Sequence, residues 1–301
     1  MREVDRLRRF LFENEPLRGH WVRLEESWSA ARVHQGHGAI VTALLGETMA
    51  AASLLAAALK FQGTLTLQVT GGGVLSLLIA QATHDQKLRA VAQLREDAVP
   101  PDSGDFRTLV GDGRLVVTVD RGEGQSPWQG IVPLAGATLA ECLERYFEDS
   151  EQLSTRIVLA ADANRAAGLM LQRLPTPTLA GEAAEGHVRE VWDEAALLMS
   201  TVKERELLDT EAEPLLLRVF GANDLRLFDA DPVRFQCRCS EERVASVLQS
   251  LGETEIRSVL EEQGVVTVTC EFCQRPYRFD AIDVEQLFAP TPPPEAPDSL
   301  N

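Results

Sequence analysis

Four of the five cysteines fall into two tight pairs, Cys237-Arg238-Cys239 and Cys270-Glu271-Phe272-Cys273, with 30 residues between the pairs. Thiolates are soft ligands, and zinc takes four of them at tetrahedral corners when a chain folds back and brings two short pairs together. The first expectation is therefore a four-thiolate zinc site, one Zn2+ per chain, on Cys237, Cys239, Cys270 and Cys273. The thiolate is also the oxidisable form of cysteine, so the same sulfurs can surrender the metal by closing disulfides. Spacing alone leaves two uses open, a purely structural zinc knuckle and a redox-sensitive one. A disulfide scaffold fits less well, because five cysteines in 301 residues are sparse and four of them crowd one C-terminal patch. The single-residue spacer of the first pair would close only a strained, readily reduced ring, which suits a switch better than a staple.

Other chemistry finds no anchor. His34 and His37 are three apart but lack an acidic partner at ligand spacing, and read as structural or exposed. Ser150 stands in Ser-Glu-Gln without the surroundings of a nucleophile elbow, so no hydrolase set is visible. Gly71-Gly72-Gly73 lies between two strand patterns, Thr64 to Val69 and Leu75 to Ala80, and reads as a hairpin turn. A phosphate loop would need a helix behind it. Cys142 shares an apolar helical face with Leu139, Leu143, Tyr146 and Phe147, and reads as core. The chain is not expected to be an enzyme.

The positioning elements suggest an α+β protein in four parts. Residues 1–175 read as a mixed α/β domain with a central sheet and packed helices. In it Ala39 to Phe61 is a buried helix with Glu47 as its isolated acid, Arg114 to Asp120 and Gln129 to Leu134 are strands, and Thr138 to Phe147 is a helix. Residues 176–231 open on a break at Thr176-Pro177-Thr178 and continue as a helical linker. Glu185 to Leu208 reads as one helix with Val188, Trp192, Ala195, Met199 and Val202 along a stripe, followed by a second amphipathic segment over Leu215 to Phe220 and Leu225 to Phe228. Residues 232–288 form a small zinc module: a helix capped by Ser240 and ending at Gly252, another from Thr254 to Gly264, and a hairpin of Val265 to Thr269 with Tyr277 to Asp280 around the second cysteine pair. Residues 289–301 are a proline-rich tail, expected to be disordered.

Charge is uneven. Residues 1–175 hold 18 Lys+Arg and 21 Asp+Glu, net −3, and residues 176–301 hold 11 and 25, net −14. Such an acidic half repels phosphate backbones and argues against a nucleic-acid partner. The N-terminus, with charges interspersed among Leu7, Phe10 and Leu11, lacks the layout of a signal peptide, and the apolar run Leu54 to Leu59 is too short to span a bilayer. A cytoplasmic protein with no membrane partner is expected.

These residues resemble a known family. Phe235-Gln-Cys237-Arg-Cys239-Ser-Glu-Glu-Arg243-Val244, Cys270-Glu-Phe-Cys273 and Tyr277-Arg-Phe279 are similar to the zinc segment of the 33 kDa chaperonin, or heat shock protein 33, family. Leu45-Gly-Glu47, Leu59-Lys-Phe61, Gln129-Gly-Ile-Val-Pro-Leu134, Ser150-Glu-Gln152 and Ala167-Gly-Leu-Met-Leu-Gln172 are similar to its recurring N-terminal segments, so the likeness runs from about residue 15 to 288. Gly73-Val74 and Arg89-Ala90 depart from the family's Gly-Pro and Arg-Gly.

The resemblance implies a redox-regulated, ATP-independent holdase, silent while zinc-bound. It implies oxidation by peroxide with unfolding stress, or by hypochlorous acid, joining Cys237 to Cys239 and Cys270 to Cys273. Zinc release, melting of the linker, binding of unfolded client proteins and homodimerisation would follow. Two alternatives from other classes are a thiol-disulfide oxidoreductase and a constitutive zinc-stabilised adaptor. Trp192 and Met199 are candidates for gripping a client, although a stripe at helical spacing is more often packed core.

Overall fold

Ala39–Ala58 forms a 20-residue helix whose residues are apolar nearly all the way round, and such a helix needs a protein interior or a membrane on every side. By length and composition it could cross a membrane, so the apolar stretch is longer than the Leu54 to Leu59 run considered above. It is instead enclosed: Leu45, Met49, Leu54 and Leu55 are each 0–1 % exposed.

The computed structural model describes residues 4–33, 35–96, 98–99, 104–122, 125–175 and 181–289. His34, residues 176–180 at the opening of the linker and residues 290–301 of the tail lie outside the described residues. The chain divides into two compact units, Met1–Gln236 and Cys237–Asn301. In chain order the first runs β1 (Arg6–Phe12), β2 (Leu17–Leu24), α1 (Glu26–Arg32), α2 (Ala39–Ala58), β3 (Thr64–Gly71), β4 (Leu75–Thr83) and β5 (Lys87–Leu94). It continues through α3 (Phe106–Val110), β6 (Gly113–Asp120), β7 (Trp128–Pro133), α4 (Leu139–Tyr146), β8 (Thr155–Ala161) and β9 (Ala166–Arg173). Helices α5 (Gly181–Ser200), α6 (Glu204–Asp209) and α7 (Ala212–Phe220) follow, and then short strands β10 (Leu225–Leu227), β11 (Asp231–Pro232) and β12 (Arg234–Phe235).

The expected sheet is present as two. One has the order β10-β1-β2-β9-β8 with β11 also on β1, and the other β12-β5-β4-β3-β6-β7. Helix α2 packs on β2, β8 and β9 of the first and on β3, β4 and β5 of the second, which is why it has no polar face. The first sheet is covered on its other side as well, by α5, α6 and α7, so β9 is buried on both faces. Side-chain parity records the two covers: Ala166 and Met170 join the core around α2, while Ala167, Leu169 and Leu171 join the core beneath α5 to α7. Gly19 of β2 lies over the Phe10 ring, where an added Cβ would come within 2.0 Å of Cζ, so only glycine lets β1 and β2 close there.

The stripe Val188, Trp192, Ala195, Met199 and Val202 is buried, with Trp192 at 6 % and Met199 at 1 % exposure, against Phe10, Phe12, Trp21, Leu169 and Leu171. Trp192 and Met199 are thus packed core. Three aromatic rings knit the layer, Phe220 lying 6.0 Å from Phe10 and 5.4 Å from Phe12. The single helix expected over Glu185 to Leu208 is two. The Ser200 and Thr201 hydroxyls bond back to the carbonyls of Leu197 and Leu198, each at 2.7 Å, and close the last turn of α5 before α6 starts. Leu225–Leu227 is a strand instead of the expected continuation of an amphipathic segment, because the free edge of β1 pairs it at Phe10–Phe12. Gly71-Gly72-Gly73 does close the β3–β4 hairpin.

Glu47 is the one charge on α2. Burial first, and then the facing Glu204 of α6, push its carboxyl from 4.5 up to about 7. The folded state prefers the protonated acid, so the stability linked to this group is complete below 4.5 and is lost as pH rises through about 7. Replacing Glu47 by Gln should raise the unfolding free energy by about 2–3 kcal/mol at pH 8 and change it little at pH 4.5. Urea denaturation at the two pH values measures the difference.

Candidate metal centre

Ser240, directly after Cys239, starts a helix: its hydroxyl accepts from the Arg243 N–H at 3.3 Å and caps α8 (Glu241–Leu251). Helix α9 (Glu253–Gln263) then turns back through the left-handed Gly264 into β13 (Val266–Thr269), which pairs antiparallel with β14 (Pro276–Phe279) and leads to α10 (Ala281–Leu287). Two knuckles result. In the first, the Arg243 guanidinium donates to the Arg238 carbonyl at 2.6 Å and pins the backbone between Cys237 and Cys239. In the second, the hairpin loop is tied at its ends, Cys270 N–H to Arg275 O at 3.0 Å and Gln274 N–H to Cys270 O at 2.7 Å, with Gln274 in the left-handed region at φ 53°.

The knuckles bring the four expected ligands together. The Sγ atoms of Cys237, Cys239, Cys270 and Cys273 all lie within 4.8 Å of one another. Cys237 and Cys270 are 3.6 Å apart, Cys239 and Cys273 3.4 Å. Four sulfurs about 2.3 Å from a central zinc sit about 3.8 Å from each other, and separations of 3.4–3.6 Å stand close to that edge length. None of the five cysteines is disulfide-bonded. Cys142 is fully buried in the first unit, its thiol pushed up chiefly by burial, and takes no part in the cluster. His37, half-buried, bonds the Ala92 carbonyl through Nε2 at 3.1 Å, a structural contact as expected.

Electrostatics explain why such a cluster needs a cation. Burial raises the Cys237 thiol, and burial followed by the neighbouring Cys239 and Cys237 sulfurs pushes Cys273 up to about 12. At Cys239 burial acts upward too, but Tyr277 and the other three thiols together outweigh it and hold the group at about 7. A thiolate is thus favoured at Cys239, while Cys237 and Cys273 are held toward the protonated form. A soft divalent ion removes that penalty for all four at once, so the donor set fits zinc. Tyr277 is a residue that sequence reasoning assigned no role. Its hydroxyl is buried without a well-formed hydrogen bond yet close enough to Cys239 to draw the thiol downward. Its position four residues past Cys273, on a strand returning beside the first knuckle, was the available signal.

The hydrophobic support is small. Leu248, Ile256, Val266, Tyr277, Phe279 and Val284 form the buried core of this unit, with Cys239 and Cys270 packed against it. A core of that size does not hold a domain by itself, and a structural zinc ion contributes on the order of 10 kcal/mol or more.

A sheet with helices on both faces, a second sheet beyond the central helix, and a separate unit whose four cysteines cluster at metal-binding distance define a class of two-unit α+β proteins. The family model described as Hsp33 protein matches residues 5–280. The chain is 45 % identical over 288 residues to a 33 kDa chaperonin of Nitrosococcus oceani, covering 96 % of each chain. It is 42 % identical over 289 residues to a 33 kDa chaperonin of Methylobacillus flagellatus, again with 96 % of each covered. The crystal structure of a 33 kDa chaperonin (heat shock protein 33 homolog) from Thermotoga maritima superposes with a TM-score of 0.80 at 22 % identity, covering 94 % of this chain and 97 % of that one, a likeness of fold. The chain belongs to the Hsp33 family.

Serine at any one of positions 237, 239, 270 or 273 should abolish stoichiometric zinc binding and unfold the second unit, while Cys142→Ser leaves the metal content at one per chain. Zinc analysis of the purified variants, with amide NMR dispersion of residues 237–289, reads both effects.

Proposed function

We propose that this chain is a redox-regulated, ATP-independent molecular chaperone, a holdase that is inactive with its four thiolates on zinc and active once they are oxidised. The observation that carries the reading is the four-thiol cluster on a unit with a core of six buried side chains, which makes metal retention and folding of that unit one equilibrium. Family membership supports the chaperone class.

Bound zinc would supply the positive charge that lets Cys237, Cys239, Cys270 and Cys273 all remain thiolates at neutral pH. The redox step belongs to the chain's own sulfurs, with peroxide as oxidant. One thiolate of a pair attacks an oxygen of hydrogen peroxide and becomes a sulfenic acid, expelling hydroxide. Its neighbour's thiolate then displaces hydroxide from the sulfenic sulfur and forms the S–S bond. Each pair gives up two electrons, and protonation of the two hydroxides leaves two waters. The pairing, Cys237 with Cys239 and Cys270 with Cys273, is the one the family resemblance implies.

In this reading the linker, residues 176–231, melts after the module unfolds, and the apolar layer it covers becomes available to unfolded proteins. The oxidised form is a homodimer in this reading, the compartment is the cytoplasm, where thiols are kept reduced, and nucleic acid and membrane are not partners.

Aggregation of a thermally unfolded client, followed by light scattering, tests the proposal. The peroxide-treated, zinc-free protein should suppress scattering at near-stoichiometric ratios and the reduced holoprotein should not; equal suppression by both would falsify it. Turnover in an insulin-reduction assay would favour a thiol-disulfide oxidoreductase. Zinc retained through peroxide with client binding unchanged would favour a constitutive adaptor.

A further inference from the structure

The layer beneath α5 to α7 is held by charge as well as by apolar contact. Residues 6–24 and 165–173, which supply β1, β2 and β9 of the covered sheet, contain seven arginines and two glutamates. Residues 181–231, which cover it, contain thirteen acids and five bases. In a chain of net charge −17 these strands are an exception in their surplus of arginine, and although Arg18 turns to the other side and donates to the Ala58 carbonyl at 3.1 Å, others pair with the cover.

The pairs are specific. Arg165 donates from Nη1 to Asp209 Oδ1 at 2.7 Å, and Arg23, with its side chain 11 % exposed, pairs with Glu211. Glu25 sits between the two arginines, 3.0 Å from Arg165 and 3.5 Å from Arg23, and holds them side by side. Asp209 and Glu211 flank the junction of α6 and α7, so this clasp grips the cover at its middle. Arg173 pairs with Glu185, and Arg9 with Asp231 at 3.4 Å. At the β1–β2 turn the polarity reverses, with Glu13 accepting from Arg226 and Glu15 facing His187.

A buried donor in this layer stands out. Trp21 is 1 % exposed in the core between the sheet and the helices, and its indole Nε1–H has no acceptor among the described residues. A buried unpaired donor destabilises the covered state and would gain from an occupant that offers it an oxygen. We propose that this sheet face takes client segments that are apolar and flanked by carboxylates, the acidic helical segment of the chain itself being its built-in occupant. The inference rests on the holdase reading above and names the class of client that reading leaves open. Single exposed ion pairs contribute little; selectivity comes from the set, and is therefore sensitive to salt.

The test uses oxidised full-length protein and two labelled peptides, one with the sequence of residues 204–220 and one in which Glu204, Glu206, Asp209, Glu211 and Glu213 are all replaced by Lys. Fluorescence anisotropy should show the acidic peptide binding about tenfold tighter at low ionic strength, with the gap closing near 0.5 M salt. The gap should also shrink in the Arg23→Gln/Arg165→Gln variant, whose zinc release on oxidation is measured in parallel. Equal affinity for the two peptides, or preference for the lysine peptide, overturns the inference while aggregation suppression by the same sample persists. Absence of any suppression by the oxidised wild type overturns the holdase reading beneath it.

Discussion

Mutual repulsion among four closely spaced thiolates governs the second unit. Cys237, Cys239, Cys270 and Cys273 stand close enough that a shared cation would relieve their repulsion, and the buried core beside them is small. In the function proposed above, the dependence on that cation falls on sulfurs, the atoms of the chain most readily changed by an oxidant.

The first unit shows the opposite economy. Its central helix α2 is enclosed by two sheets, and the first sheet is enclosed in turn by α2 and by α5 to α7. The inner core, with Leu45, Met49 and Leu54, lies between the two sheets. The outer one, where Trp192, Met199 and Phe220 meet Phe10, Phe12 and Trp21, is held by a segment carrying thirteen acids, and an indole donor within it lacks a partner among the described residues. Stability is unequal across the structure for physical reasons that can be named, and the weaker layer is the one whose removal bares apolar surface.

The clustering of the four cysteines was legible because residue type and spacing are local properties. The cap of α8 was legible too: Ser240 accepts the bond that its sequence position suggests. What escaped depended on distant chain. Strand β9 is buried on both faces and rich in alanine, so it lacks the alternation that marks a strand. Leu225–Leu227 is a strand only because β1 offers it an edge. The division of Glu185 to Leu208 into α5 and α6 turns on two hydroxyls that cap backward, and the second sheet on an apolar helix that needed partners on both sides. The role of Tyr277 required the fold that carries it back beside Cys239.

The short strands near residue 230 have a further consequence. β10 and β11 lie along the outer edge of β1, and β12 lies along β5, so one stretch of chain hems both sheets. Peeling it away would leave two rows of backbone N–H and C=O groups without partners, and a bare sheet margin recruits any extended chain that reaches it, regardless of side chains. On the holdase reading proposed above, the opened molecule would hold other chains by main-chain pairing as well as by apolar contact.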